Sequence, residues 1–263
     1  MRCLRFACLC AGLALVGLLP NFASADGAAD ANNPLADVRA FNIQGYYLSD
    51  FSGMPDSTDG YQAILRYAQP LTFGDTNWLM RASVPYNSLP VGGGGTTISG
   101  IGDIDVFLAY QFDTKPGISF GIGPQLVAPT ASDDRLGADQ WQLGVANVYF
   151  NGTSPKFQWG YLLIYRTGVG STPAGRTRPE VGAFQPFWFY QLGKGWYTGG
   201  APIWTYDFAT DNYNVPFGLR LGKVHQNGKV TANYFVEPQW SLASRGNGQP
   251  EFQLYAAVNL QFR

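Results

Sequence analysis

The chain has 263 residues, of which 46% are hydrophobic, 15% aromatic and only 13% charged, the last about half the roughly 25% of an ordinary soluble domain. Lys and Arg number 17 against 18 Asp and Glu, a formal net charge of −1. That balance excludes the basic excess of a nucleic-acid binder, and the aromatic content excludes a disordered chain. With 33 Gly and 17 Pro besides, the composition points to an all-β fold.

In chain order the first element is an address. Arg2 and Arg5 precede an apolar run from about Ala11 to Leu19, and Pro20 and the small triplet Ala23-Ser24-Ala25 follow. This is the three-part layout of a secretory signal peptide over 1–25, with cleavage expected after Ala25. A single membrane-anchor helix is the alternative, and the run is too short for it. All three cysteines, Cys3, Cys8 and Cys10, lie in this segment. The exported chain is therefore expected to hold no disulfide and no Cys-ligated metal. Neither Cys8 nor Cys10 follows a lipoprotein-type pattern. Residues 26–36 are small and polar and read as a periplasmic N-terminal segment, either a strap or an internal plug.

From 37 to 263 the chain alternates with period two, the mark of strands with two unlike faces. Twelve candidate strands fall at 37–49, 60–70, 77–88, 101–113, 117–128, 140–151, 156–168, 180–192, 195–207, 213–224, 228–242 and 251–262. The last is clearest: Phe252, Leu254, Ala256, Val258, Leu260 and Phe262 share one face, and Gln253, Tyr255, Ala257, Asn259, Gln261 and Arg263 the other. These strands exceed the ~5–6 residues of soluble sheets and match the ~9–11 that a tilted strand needs to cross a bilayer. Short connections (Thr72–Thr76, Thr114–Pro116, Gly152–Pro155, Gly193–Lys194, His225–Gly228) alternate with long ones (Asp50–Asp59, Leu89–Gly100, Pro129–Asp139, Gly168–Pro179, Ala243–Pro250). Short turns at one end and long loops at the other is the habit of outer-membrane barrels. Hydrocarbon demands it, because every backbone polar group there needs a partner and the sheet must close on itself. The expected fold is an all-β, transmembrane, antiparallel up-and-down β-barrel of about 12 strands. A secreted β-sandwich also alternates, but its strands should be shorter.

Trp78, Trp141, Trp159, Trp188, Trp196 and Trp240 lie near strand ends, where amphipathic rings settle at a membrane–water boundary; they are the expected aromatic girdle. The same register turns Arg66, Arg81, Asp103, Asp105, Arg166, Arg220 and Glu237 inward, since an Arg facing lipid at the midplane costs about 2–4 kcal/mol. They are the candidate pore-lining residues, either setting selectivity or bracing the wall as salt bridges. Asp103 and Asp105 are expected to pair with the luminal arginines.

Other features carry less. The one histidine, His225, sits beside Asn227-Gly228 and reads as a solvated turn residue. Without a second His or any Cys in the exported chain, the familiar hydrolytic triads and dyads cannot be built. Gly92-Gly93-Gly94-Gly95 lacks the Lys-Ser/Thr and the helix of a phosphate cradle and reads as a flexible loop. Asp133, Asp134 and Asp139 could gather a divalent cation, though a solvated loop is the simpler reading. Asn151-Gly152-Thr153 matches a glycosylation sequon inside a tight turn. No cofactor and no metal are expected.

Several segments carry a family resemblance through their order: Asn33-Pro34-Leu35-Ala36, Trp78-Leu79-Met80-Arg81 with Val84-Pro85, Gly100-Ile101-Gly102-Asp103-Ile104, Gly123-Pro124, Ala128-Pro129-Thr130, Asp133-Asp134, Leu136-Gly137, Trp141, Leu143-Gly144, Gln185-Pro186, Gly195-Trp196-Tyr197, Val215-Pro216-Phe217-Gly218 and Gly222-Lys223-Val224. Together they cover most of the exported chain and resemble a bacterial outer-membrane β-barrel family labelled MetA-pathway of phenol degradation or transporter, some members of which carry the label neuromedin U. The resemblance implies a twelve-stranded-type barrel and uptake of aromatic or other hydrophobic compounds. One departure is the ending, where Arg263 follows Phe262 instead of an aromatic residue closing the chain.

The expectation is therefore a Gram-negative cell-outer-membrane channel for passive uptake of small solutes. Its expected partners are the lipid bilayer, lipopolysaccharide, the barrel-assembly machinery (through the C-terminal strand) and a small-molecule solute, with no nucleic acid. The rival classes are a non-transporting structural or surface-adhesion barrel and an outer-membrane lipid-modifying enzyme.

Overall fold

A computed structural model describes residues 31–54, 59–91, 95–112 and 114–262. The expected signal peptide and its cysteines, Gly92–Gly94 and Arg263 lie outside the described residues. Twelve antiparallel staves follow one another around a closed wall. They are β1 (Arg39–Phe51), β2 (Gly60–Phe73), β3 (Thr76–Pro90), β4 (Thr97–Ile101 and Ile104–Gln111), β5 (Ile118–Ala128) and β6 (Gln142–Asn151). The second half is β7 (Phe157–Gly168), β8 (Glu180–Gly193), β9 (Trp196–Gly200 and Trp204–Asp207), β10 (Asn212–Gly218 and Arg220–Asn227), β11 (Val230–Arg245) and β12 (Pro250–Phe262). Each pairs with its chain neighbour, and β1 closes on β12 from Arg39↔Phe262 to Phe51↔Pro250. Closure removes the sheet edge altogether.

Alternation decides what each face meets. On the outer face Ile43, Leu65, Leu143 and Leu163 are each about half exposed, and Leu242 reaches 72%. Their strand neighbours turn inward: Gln44, Leu79, Phe107, Val148, Gln158 and Tyr197 are buried. An apolar outer surface this continuous is a liability in water and a requirement in lipid. Asn147 is a polar exception on the outer face of β6, and its Nδ2 donates to the Gly121 carbonyl at 3.1 Å.

Three staves are interrupted, and prolines explain where. Pro has no N–H for the ladder. Pro85 lies opposite the break at Gly102–Asp103 in β4. Pro186 and Pro202 face one another at the break in β9. Pro238 faces the break at Leu219 in β10, and Pro216 sits at a bulge. Side chains repair the gaps: Trp204 Nε1 donates to the Pro216 carbonyl at 3.0 Å, and Gln185 Nε2 to Ala201 O at 2.9 Å.

The twelve expected strands coincide with the twelve staves to within a few residues at most ends. The main differences are extensions. Residues expected in the loop Leu89–Gly100 continue the ladder as Tyr86–Pro90 against Thr97–Ile101, and β11 runs on to Arg245. His225 is not a solvated turn residue. It belongs to β10, pairs with Ala232 and is only 8% exposed, because the turn is tighter than expected, with Gly228 at φ +56°.

Candidate functional site: the barrel lumen

The lumen is partly filled and partly open. At the short-turn end lies a cavity of about 180 Å³, lined among others by Arg66, Leu79, Arg81, Phe107, Phe187, Arg220 and Tyr255. Towards the long loops lies a second, of about 450 Å³, lined by Ile64, Arg66, Pro85, Asp103, Asp105, Val127, Leu136, Gln142, Arg166 and Val181 among others. Arg66 lines both, so it marks the waist where they meet.

The short-turn mouth is crossed by the chain's own N-terminal segment. Gln261 Nε2 donates to the Ala31 carbonyl at 3.0 Å, and Asn233 Nδ2 to Asn32 Oδ1 at 2.9 Å. Across the barrel Asn33 Nδ2 donates to Ser119 Oγ at 3.1 Å. Between these anchors Leu35 is 2% exposed and packs with Leu79, Phe107, Ala109, Ala146, Val148 and Leu162. Gly121 makes room for it, since a Cβ there would stand 3.3 Å from both Leu35 methyls. Of the two roles considered for this segment, strap and internal plug, its described part has the geometry of a plug.

The other mouth is narrowed by two loops. Leu136, in the short 3₁₀ turn Asp134–Leu136, is buried, and Gln140 Nε2 donates to the carbonyls of Val169 and Ser171. Arg176 staples the loops together by donating to the carbonyls of Asp134 (2.5 Å) and Gly137 (2.9 Å). Asp133 is engaged by Arg135, whose Nε and Nη2 approach its carboxylate at 2.9 and 3.0 Å. Its carboxyl is held down to about 2, first by the Arg135 side chain and then by the Arg135 backbone N–H. Among the described residues no group of three or more His, Cys, Asp or Glu could hold a metal ion. Asn151 of the sequon accepts from Thr153 N and Oγ1 at 3.1 and 2.7 Å, an Asx turn inside the short connection.

All seven candidate pore-lining residues face the interior or its mouth, but they fall into three situations. Arg220 and Glu237 form a buried ion pair, Nε to Oε2 at 2.6 Å, with exposures of 6% and 0%. Glu237 also accepts from Gln239 Nε2 at 2.8 Å and from the Ala201 N–H at 3.1 Å. The Arg220 guanidinium lies 3.5 Å from the Phe235 ring centroid. This pair braces the wall where β9 and β10 are interrupted. Asp103 departs from its expected pairing with arginine: it accepts the backbone N–H groups of Thr130, Ala131 and Ala138 at 3.2, 3.2 and 2.8 Å. It sits in the β4 break, where the free loop amides are nearer than any guanidinium. Asp105 likewise makes no ion pair; it accepts from Gln125 Nε2 at 3.3 Å. Finally, Arg66 donates through Nε to Ser83 Oγ at 3.2 Å. Arg81 lies over Phe107, 4.2 Å from its centroid. The Nε atoms of Arg81 and Arg166 are buried without a hydrogen-bond partner.

The outward aromatics form bands near the two ends. Phe73, Trp78, Tyr110, Phe112 and Phe120 are linked ring to ring at 4.7–6.4 Å. Trp159 continues that band beside Tyr149, and Trp196 carries Lys223 over its ring at 4.7 Å. Trp188 pairs with Trp159 across β7–β8. At the long-loop end Trp240, Phe252, Tyr47 and Tyr61 form a second chain at 5.6–6.5 Å, and Trp141 is half exposed. Sequence reasoning passed over Trp204, although it begins the second segment of β9 beside Phe184.

The fold has solved counterparts. The COG4313 outer membrane channel from Pseudomonas putida F1 superposes with a TM-score of 0.67 at 13% identity, over 86% of this chain and 96% of that one. The NanC porin gives 0.56 at 11% identity, over 85% and 99%. At these identities the likeness is one of fold. No family model matches the chain, and no curated protein matches it in sequence.

Proposed function

We propose that this chain is an outer-membrane channel through which small solutes pass down their gradient, with the short turns in the periplasm and the long loops outside. The observation that carries the reading is an incompletely filled, charged interior, two cavities meeting at Arg66, inside a wall whose outer face is apolar. Eight-stranded barrels are filled by side chains, and sixteen or more strands leave open water. Twelve strands leave a narrow, partly filled interior of the kind seen here. Counterparts that are themselves a channel and a porin support the same reading. The aromatic bands then sit at the two membrane boundaries, lipopolysaccharide meets the long-loop end, and β12 presents the barrel to its assembly machinery. Export rests on residues 1–25. A solute that is aromatic or otherwise hydrophobic rests on the ordered segments that resemble the phenol-degradation-type family.

Reconstitution tests the reading. Purified protein in planar bilayers is expected to conduct ions, and liposomes carrying it to admit small solutes faster than empty ones. Correct insertion without either effect would favour the non-transporting barrel, which the plug at Ala31–Val38 and the stapled loops also favour. Turnover of phospholipid or lipid A by the purified protein would revive the enzyme reading. Slower gel migration after boiling is expected for an intact barrel.

A further inference from the structure

Charge in the middle of the lumen is lopsided. Among the described residues Arg66, Arg81 and Arg166 line the cavities there against Asp103 and Asp105, leaving one positive charge in excess. Hydrogen bonding is more uneven still. Asp103 is saturated by three backbone N–H groups and Asp105 is held by Gln125. Among the described residues the Nε atoms of Arg81 and Arg166 are buried and have no hydrogen-bond partner. Buried donors of this kind are normally partnered, and charged ones most of all.

The register gives these donors a common setting. Arg81 pairs with Phe107, Phe107 with Gln125, Gln125 with Gly144, and Gly144 with Arg166, so both guanidiniums stem from one hydrogen-bonded row of the wall. Gly144 lets its strand pack closely against the Arg166 backbone; a Cβ there would stand 2.7 Å from that of Arg166 and 2.1 Å from the Tyr165 carbonyl oxygen. Arg166 faces the larger cavity, Arg81 the smaller, and Arg66 both. Apolar side chains flank the arginines on both sides: Ile64, Pro85, Val127 and Val181 above the waist, interleaved with Gln62, Asn87 and Gln142, and Leu79 and Phe107 below.

We propose that the waist is a binding site for a small organic monocarboxylate with a flat apolar body, its carboxylate taken first by Arg166 and passed by way of Arg66 to Arg81. Guanidinium N–H groups match a carboxylate in geometry and charge, and the apolar side chains beside them match the body. The inference deepens the channel reading and rests on it only for the origin of the ligand. A neutral aromatic solute would leave the same N–H groups without an acceptor.

The test uses the full exported protein in detergent micelles, titrated by calorimetry with sodium benzoate and, separately, with benzyl alcohol, its neutral near-isostere. Benzoate is expected to bind at least about tenfold more tightly, the effect of one charge-assisted hydrogen bond. Arg81→Gln and Arg166→Gln should each lower benzoate affinity by about tenfold while retaining heat-dependent gel migration. Equal binding of the two probes, or unchanged benzoate affinity in the folded double variant, overturns the proposal. The same protein in a KCl gradient across a planar bilayer keeps the two readings apart. Conduction without benzoate preference leaves the channel standing and removes the site. Benzoate binding without conduction keeps the site and removes the channel.

Discussion

Two arginines on the inner wall, Arg220 and Arg81, began in the sequence as equals. Arg220 meets Glu237 at 2.6 Å, lies over Phe235 and is sealed from water. Among the described residues Arg81 meets the face of Phe107 and the cavity. The difference teaches that an inward charge in a barrel of this width does one of two jobs. Near the interrupted staves it holds the wall; at the waist it faces the cavity. A buried pair is costly to halve, whereas an unpaired guanidinium is already uncompensated and its removal costs little.

The largest effect should come from the braced end. Glu237→Gln strands Arg220 and weakens the acceptor of the Ala201 N–H and the partner of Gln239. It is expected to destabilise the barrel by about 3–5 kcal/mol, read as a lower urea midpoint for loss of heat-dependent gel migration. Arg81→Gln in the same assay should stay within about 1 kcal/mol of the parent. Equal losses for the two would erase the distinction. The plug gives the next effect. Deleting residues 31–37 removes the Ala31, Asn32 and Asn33 anchors together with Leu35, and single-channel conductance should rise severalfold with little change in the urea midpoint. A conductance that does not change would mean that the waist, rather than the plug, limits flow. The smallest effect lies outside the wall. Asp133 is held down to about 2 by Arg135, so its folded value lies below the unfolded one of about 3.9. The attraction is fully present above about pH 4 and is lost as pH falls towards 2. Carbon-detected NMR should follow this titration, and Arg135→Ala should return Asp133 towards the ordinary carboxylate range.

Much of this architecture was legible because period two is unforgiving: one residue of slippage would turn Phe252, Leu254 and Leu260 into the lumen. The alternation of Trp78, Met80, Ala82 and Val84 with Arg81 and Ser83 placed both faces of β3 correctly. The breaks in β4, β9 and β10 went unread, although Pro85, Pro186, Pro202, Pro216 and Pro238 carried the signal. A missing N–H is as visible in a sequence as a missing side chain. The inward direction of Asp103 was legible, but its partners were not, since they are amides of a loop some thirty residues on. Which arginine would find a carboxylate also lay beyond a one-dimensional pattern. That depends on which staves stand next to each other around the wall, and Arg220 meets Glu237 only because β10 adjoins β11.

The plug also has a consequence for the order of assembly. Its anchors on Asn233 and Gln261 lie 201 and 230 residues from the segment they hold, and those anchors exist only once the final two staves are in place. The segment that precedes the first stave is thus the last to be seated. A nascent cylinder must keep this segment waiting outside the wall until the seam between β1 and β12 shuts, and a product truncated before β12 would lose its stopper along with its wall.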